Sequence, residues 1–459
     1  MGEHRKKIVT IIIITLLLAG GGVFLISWDS KKFNKQTLLM ESLSAFEKVA
    51  NLLPIKEDSK KEIEAINQVV QFVTRVDDIE RRYLLLLQNN MELRPGGGFL
   101  GQYAIIKVKN GKITSQFFED ANILDQRITA KVNPPYPFER MMSLKKWKFR
   151  DSNFSPDFPT NVEKAKYFYR LSGGNSDFDG VIAVNATVLN KILEITGPIV
   201  IGGVQYTSQD AFLKLEEQVE KAYLFNEDLD TQNRKWVMKK MAEIIIDRLV
   251  SLNNIPRISS FVLEELRNKD IQLNFQDSET QKAIENVHWD GRVSTDWEGD
   301  YLMIVDANMG ALKSDYYIDR EVFYEVDLTG EKPTAYLKIN YTHKATYGDW
   351  RTSDYHSYLR IYVPQGSNLI ERKMVSYPNI QEEFNKTYFG FILHVLINRN
   401  TLVETRYELP ESVRENYRLL IQKQSGVGDV PVHIKVKTAD GDFTQDEILK
   451  KDLRFEFKK

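Results

Sequence analysis

The chain has 459 residues, 42% hydrophobic and 27% charged, with a formal net charge of −2. That is a globular composition, long enough for two or three domains, with none of the basic excess that nucleic-acid binding requires. Cysteine is absent, which excludes disulfides, thiolate metal sites and cysteine nucleophiles in one step.

The N-terminus reads as a membrane anchor. After MGEHRKK, residues 1–7, comes IVTIIIITLLLAGGGVFLIS, residues 8–27. About 20 residues without a charge suffice to span roughly 30 Å of hydrocarbon. Arg5, Lys6 and Lys7 argue for a cytoplasmic tail, although Lys31, Lys32 and Lys35 follow the span. A cleaved signal peptide fits less well, because the apolar run exceeds the usual h-region and no A-x-A site follows. The expectation is a single-pass protein of the cell membrane, N-terminus cytoplasmic and bulk extracytoplasmic.

Residues 28–80 carry two helical patterns. Leu39, Leu43, Phe46, Ala50 and Leu53 recur at spacings of four and three, and Pro54 ends the run. A second helix starts at the N-cap candidates Asp58 or Ser59 and places Ile63, Ile66, Val70 and Val73 on one face. They form either a helical stalk or helices packed on the main domain.

Tyr83 to Gln88 has the length and apolarity of a fully buried strand. It runs into ELRPGGGFLG, then two apolar runs flank Asn110-Gly111, the strongest short hairpin signal. Glu119 to Thr160 reads as a long irregular segment holding five prolines. Its aromatics Tyr136, Phe138, Trp147, Phe149, Phe154 and Phe158 argue against disorder. A helix at Asn161 to Arg170 follows, then a strand at Val181 to Val184, a helix at Ala186 to Ile195 stopped by Gly197-Pro198, and a strand at Ile199 to Ile201. Helical patterns cover about 208–224, 232–252, 256–268 and 279–287. From about Asp300 the chain becomes a series of short alternating strands, the pattern of an all-β sandwich.

The glycine loop has two readings. Bare backbone N–H groups of Gly96, Gly97 and Gly98 beside the Arg94 fork fit a phosphate or pyrophosphate. Equally, three glycines fit a tight turn where another backbone comes close, with Arg94 paired to Glu92 or a core aspartate. No G-K-[ST] follows, so the loop is not a P-loop, and its glycines enter a strand, which excludes a dinucleotide fingerprint. Glu119, Asp120, Asp125, Arg127, Arg150, Asp151, Asn153 and Asp157 could hold Mg²⁺ and a diphosphate, or simply cap turns and pair at the surface. None of the six histidines has metal-ligand spacing. Tyr336, Tyr341, Tyr347, Tyr355, Tyr358 and Tyr362 fit strand propensity and sandwich core better than a sugar-stacking stripe.

LLLLQNNMELRPGGGFLGQYAIIKVKNGKI resembles the signature of an uncharacterised bacterial envelope family, domain of unknown function 4012. KFRDSNFSPDFP at 148–159, FDGVIAVNATVLNKILEITGPI at 178–199 and VDANMGALKSDYYIDR at 305–320 do likewise. A more distant similarity is to the LytR–CpsA–Psr family, which binds polyprenyl pyrophosphate and transfers glycopolymers to the cell wall. These resemblances imply an α/β domain at 81–299, a mixed sheet with flanking helices, followed by an all-β sandwich-like domain at 300–459. Under the distant similarity Arg94, Gly96, Gly97 and Gly98 would hold the pyrophosphate. Asp120 and Asp151 would position Mg²⁺ or activate an acceptor, and Arg127 and Arg150 would stabilise the leaving phosphate, with Asn153 and Asp157 nearby. FEDANILDQR stands where that family has Ser-Ile-Pro-Arg-Asp. No catalytic constellation is evident, so the first expectation is a non-catalytic binding or structural surface protein without a cofactor. The alternative is a protein of lipid-linked pyrophosphate or cell-wall glycopolymer chemistry.

Overall fold

A computed structural model describes residues 57–215 and 255–456, with 217, 237, 240, 241, 244, 245 and 248 between them. The expected tail, membrane span and first helix lie outside the described residues, as do most of the helical stretches at 208–224 and 232–252. Among the described residues no helix is long and apolar enough to cross a membrane. The fold is mixed α/β with several sheets and a β-rich C-terminal region.

The chain divides into two compact units that interleave along the sequence. One takes the residues up to Gln88, Leu100–Arg127 and Ser172–Gly291; the other takes Asn89–Phe99, Ile128–Leu171 and Arg292–Lys459. The expected boundary at 299/300 is close to the last crossing. The glycine loop and residues 128–171, expected in the α/β part, go with the β-rich unit.

The first unit is built on a five-stranded sheet. Its strands are β1 (Glu80–Asn89), β2 (Phe99–Lys109), β3 (Lys112–Asp120), β4 (Gly180–Asn185) and β7 (Ile271–Phe275), in the order β3-β2-β1-β4-β7. β1 and β4 are parallel, while β2–β3 and β4–β7 are antiparallel. β1 is central, and its Leu84 and Leu86 are buried as completely as Tyr83 and Leu85, as a continuous apolar run requires. The β2–β3 hairpin turns on Asn110 at φ 51° and Gly111 at φ 67°, the positive angles that make Asn-Gly the favoured two-residue loop.

Helices α1 (Glu57–Thr74), α2 (Ala121–Arg127), α5 (Thr187–Thr196), α6 (Ile255–Arg267) and α7 (Ser278–Asn286) complete the described part of this unit. α1 is not a free-standing stalk. Ala65, Val69, Phe72 and Val73 enter the same apolar cluster as Tyr83, Leu85, Ile182 and Ile284, and Phe72 meets Phe275 edge-on at 5.8 Å. The expected strand–helix–strand is present, but its second strand leaves the main sheet. β5 (Ile199–Ile201) pairs only with β6 (Val204–Tyr206), as a separate two-stranded sheet.

The β-rich unit carries two six-stranded sheets. The first has the order β12-β15-β10-β9-β17-β18. It comprises β9 (Ile318–Asp327), β10 (Thr334–His343), β12 (Asn368–Lys373), β15 (Asn400–Glu408), β17 (Val430–Thr438) and β18 (Gly441–Leu449). The second has the order β13-β14-β11-β8-β16-β19. It comprises β8 (Asp300–Val305), β11 (Tyr355–Pro364), β13 (Asn379–Glu383), β14 (Lys386–Val395), β16 (Arg418–Ile421) and β19 (Leu453–Glu456). Alternate residues of both, among them Val322, Leu337, Val403, Val432, Leu359, Phe391 and Leu419, merge into one apolar cluster. Tyr341, Tyr355, Tyr358 and Tyr362 are buried, and Tyr347 is exposed.

The segment expected to be irregular is partly helical. β3 runs to Asp120, α2 follows directly, and α3 (Phe138–Met142), a 3-10 turn at Phe149–Asp151 and α4 (Phe158–Leu171) come after. Its aromatics anchor it, since Phe138 and Phe154 pack with Ala307, Met309 and Tyr358.

Candidate functional site

The glycine loop follows β1 and packs entirely within the β-rich unit. Gly96 and Gly98 are dictated by neighbouring atoms, and Gly97 by its own backbone angle. A Cβ on Gly96 would fall 2.4 Å from the Asn161 side-chain nitrogen and 3.0 Å from the Asn153 carbonyl oxygen. On Gly98 it would fall 2.3–2.4 Å from backbone atoms of Asn89 and Asn90. Gly97 has φ 137°, and its carbonyl oxygen would lie 2.0 Å from a Cβ on Gly426, itself at φ 81°. The bare backbone therefore admits other main chain. Two of its N–H groups are already used: Gly96 donates to the Asn153 carbonyl at 3.0 Å and Gly97 to that of Arg94 at 2.9 Å.

Arg94 is 1% exposed. Its Nε donates to Asp151 Oδ1 at 3.1 Å, Nη2 to Glu92 Oε1 at 2.9 Å, and Nη1 to the carbonyl oxygens of Asn308 at 2.8 Å and Leu93 at 3.3 Å. Burial opposes its charge, but Glu92 and Asp151 outweigh it and leave the guanidinium more firmly protonated than usual. Burial raises the Glu92 carboxyl above its ordinary value, while Arg94 pulls it back. This is a buried cation held by two carboxylates and two carbonyls, with its fork turned inward.

The other expected site residues separate by unit. Arg150 Nε approaches Asp151 Oδ2 only to 3.9 Å. Asn153 Nδ2 donates to the Gly98 carbonyl at 2.6 Å. Asp157 caps α4: its Oδ2 accepts from Thr160 N at 3.0 Å and Thr160 Oγ1 at 2.6 Å, and its Oδ1 from Val293 N at 3.0 Å. Asp120 and Arg127 belong to the first unit. Asp120 Oδ1 accepts from Asn122 N at 2.8 Å, a turn that opens α2. Arg127 pairs with Glu119 through two nitrogens, at 2.8 and 2.5 Å. Asp151, one of the two carboxylates expected at Mg²⁺, spends Oδ1 on Arg94.

A second, largely buried cation extends the network within the β-rich unit. Arg320 Nε donates to Asp306 Oδ2 at 2.8 Å, and its Nη2 to Asp315 Oδ1 at 2.9 Å. Ser357 and Tyr355 add hydroxyls to Asp306 and Asp315, at 2.8 and 2.9 Å. Asp315 Oδ2 also accepts from Leu93 N at 3.0 Å and Asn308 Nδ2 at 2.8 Å, and Gln424 Nε2 bridges the carbonyls of Arg94 and Asp306. The Arg94 and Arg320 clusters are thus one hydrogen-bonded system. Beside it lies a cavity of about 30 Å³ lined by Asp306, Arg320, Lys423 and Gln424 among apolar neighbours, room for one or two waters. Asp306, Asn308, Asp315 and Arg320 were not picked out as site residues from the sequence, although all lie in the quoted 305–320 string. Gln424 had no such signal.

The first unit has its own charged cluster, also unforeseen. Lys191 Nζ reaches Glu265 Oε1 at 2.8 Å and Asp270 Oδ2 at 3.1 Å, and Asn185 at the end of β4 donates to Asp270 Oδ1 at 2.9 Å. Burial, then Asp270, raises the Glu265 carboxyl, and Lys191 opposes both. Among the described residues no group of three or more histidines and carboxylates is gathered as a metal cage.

Fold and site together define a mixed α/β chain with a β-rich region that carries a largely buried polar constellation hydrogen-bonded around Arg94. Residues 78–219 match the family described as protein of unknown function (DUF4012). That match includes β1, the glycine loop and the β4–α5–β5 stretch. No curated protein matches the chain.

Proposed function

We propose that this is a membrane-anchored, extracytoplasmic cell-envelope protein that acts by binding or by structural support, not by catalysis. The anchor rests on the uncharged run at 8–27 behind Arg5, Lys6 and Lys7. The observation that carries the non-catalytic reading is Arg94, whose guanidinium is occupied by Asp151, Glu92 and two carbonyls. A residue meant to grip a pyrophosphate needs its fork free for the ligand. Here the loop serves the sandwich-like unit as a junction, seating strand end, turn and the 148–159 string against one another.

Topology is testable because the chain has no cysteine. Tyr377 is 86% exposed, so a Tyr377→Cys variant offers a single thiol. A membrane-impermeant maleimide should label it in intact cells. Labelling only after lysis would reverse the orientation, and recovery of the chain in the soluble fraction would remove the anchor. Chemistry is tested by extracting lipid from the purified protein for mass spectrometry. The proposal expects no stoichiometric polyprenyl pyrophosphate; its release would replace this reading with LytR–CpsA–Psr-like transfer, using Mg²⁺.

A further inference from the structure

Two histidines face each other on the surface of the β-rich unit. His356 in β11 and His394 in β14 are register partners on adjacent antiparallel strands. Their rings stand at 77° with centroids 4.7 Å apart, and the two Nδ1 atoms approach to 2.5 Å. His394 is exposed and His356 half-buried. The backbone of Gly310 lies against one edge of the His356 ring, where a Cβ would sit 3.7 Å from Cδ2. We propose that this pair is a binding site for a divalent transition ion of the imidazole-preferring kind, Zn²⁺, Ni²⁺ or Cu²⁺, held between the two Nδ1 atoms.

The geometry is the argument. Directly opposed strand residues keep their Cβ atoms about 5 Å apart, which converges two imidazoles on one point outside the sheet. Two metal–nitrogen bonds of about 2.05 Å at a tetrahedral angle place the nitrogens roughly 3.3 Å apart. A small opening of the exposed His394 side chain would bring the pair to that separation. Without an ion, the contact is a hydrogen bond only if one Nδ1 carries a proton and donates it to the other. With an ion both act as acceptors, which is how neutral imidazole ligates. With two protein donors, the remaining positions fall to water or to donors of a bound partner.

The test is a titration of the purified, chelator-washed full chain with Ni²⁺ and with Zn²⁺, followed by calorimetry. One ion per chain is expected, and tenfold or greater weakening in both His356→Ala and His394→Ala. His433→Ala is the control, because that ring is engaged by Asp446 and Glu321 elsewhere on the unit, and it should bind as the parent does. Cu²⁺ electron paramagnetic resonance reads the donors directly and should report two nitrogens, lost in either variant. Failure of the parent chain to bind, or equal binding by both variants, overturns the proposal. So does a Cu²⁺ spectrum without two nitrogen donors.

Discussion

At Gly426 a methyl group would fall 2.0 Å from the Gly97 carbonyl oxygen, and at Gly98 it would meet the Asn89–Asn90 backbone at 2.3–2.4 Å. Neither contact can be relieved by turning a side chain, so relief means moving main chain. Gly98→Ala and Gly426→Ala should each cost about 3 kcal/mol or more. Gly428→Ala, with open space around it, should be nearly neutral in the same urea titration. Equal behaviour of the three would remove the close-approach explanation. Asp300 gives a second residue-scale prediction. It is fully buried and accepts from Tyr417 Oη at 2.6 Å, Tyr324 Oη at 2.8 Å and Tyr301 N at 2.8 Å. Burial, opposed by the two tyrosines, pushes its carboxyl up from 3.8 to about 6. A folded-state pKa above the unfolded value means the folded chain binds the extra proton, so stability falls as pH rises from about 4 to 6. The span corresponds to on the order of 3 kcal/mol. Asp300→Asn should flatten that part of the stability–pH curve, and an unchanged slope would assign it elsewhere.

Among the elements, some announce themselves and some do not. The β2–β3 hairpin was legible because Asn110-Gly111 states its own backbone angles. β1 was legible because its apolar run has strand length. β7, IQLNF, was missed: five residues between two helices carry too little pattern to be told from a loop. The 119–160 segment reads as irregular because its helical pieces, Ala121–Arg127, Phe138–Met142 and Phe149–Asp151, are too short to show a period, while its aromatics point to order. α4 depends on a local device. Asp157 caps its first turn and ties it to Val293, so Asp157→Ala should cost about 1–2 kcal/mol. Asp157→Asn should recover part of it, since an amide oxygen can still accept. A variant as stable as the parent would show the cap to be idle.

Across the whole molecule, the chain crosses between its two units several times, and that interleaving hid the site. The strings at 92–101, 148–159 and 305–320 are far apart in sequence, yet their buried polar residues meet in one unit through Arg94, Asp151, Asn308 and Asp315. Each string was visible by itself. Their convergence was not, because pairing at such separations leaves no periodicity to read. The same physics explains why Arg94 looked like a ligand residue: a lone arginine beside glycines has the same local sequence whether its fork points out or in. The two possibilities differ in their thermodynamics. Removing one partner of a buried ion pair leaves uncompensated charge and costs about 3–5 kcal/mol. The most direct measurement is urea unfolding of Arg94→Ala beside the parent chain, with inorganic pyrophosphate binding followed on both. A loss of about 3–5 kcal/mol, with no saturable pyrophosphate binding by the parent, is what a structural arginine gives. Unchanged stability, together with pyrophosphate binding that the substitution abolishes, would contradict it.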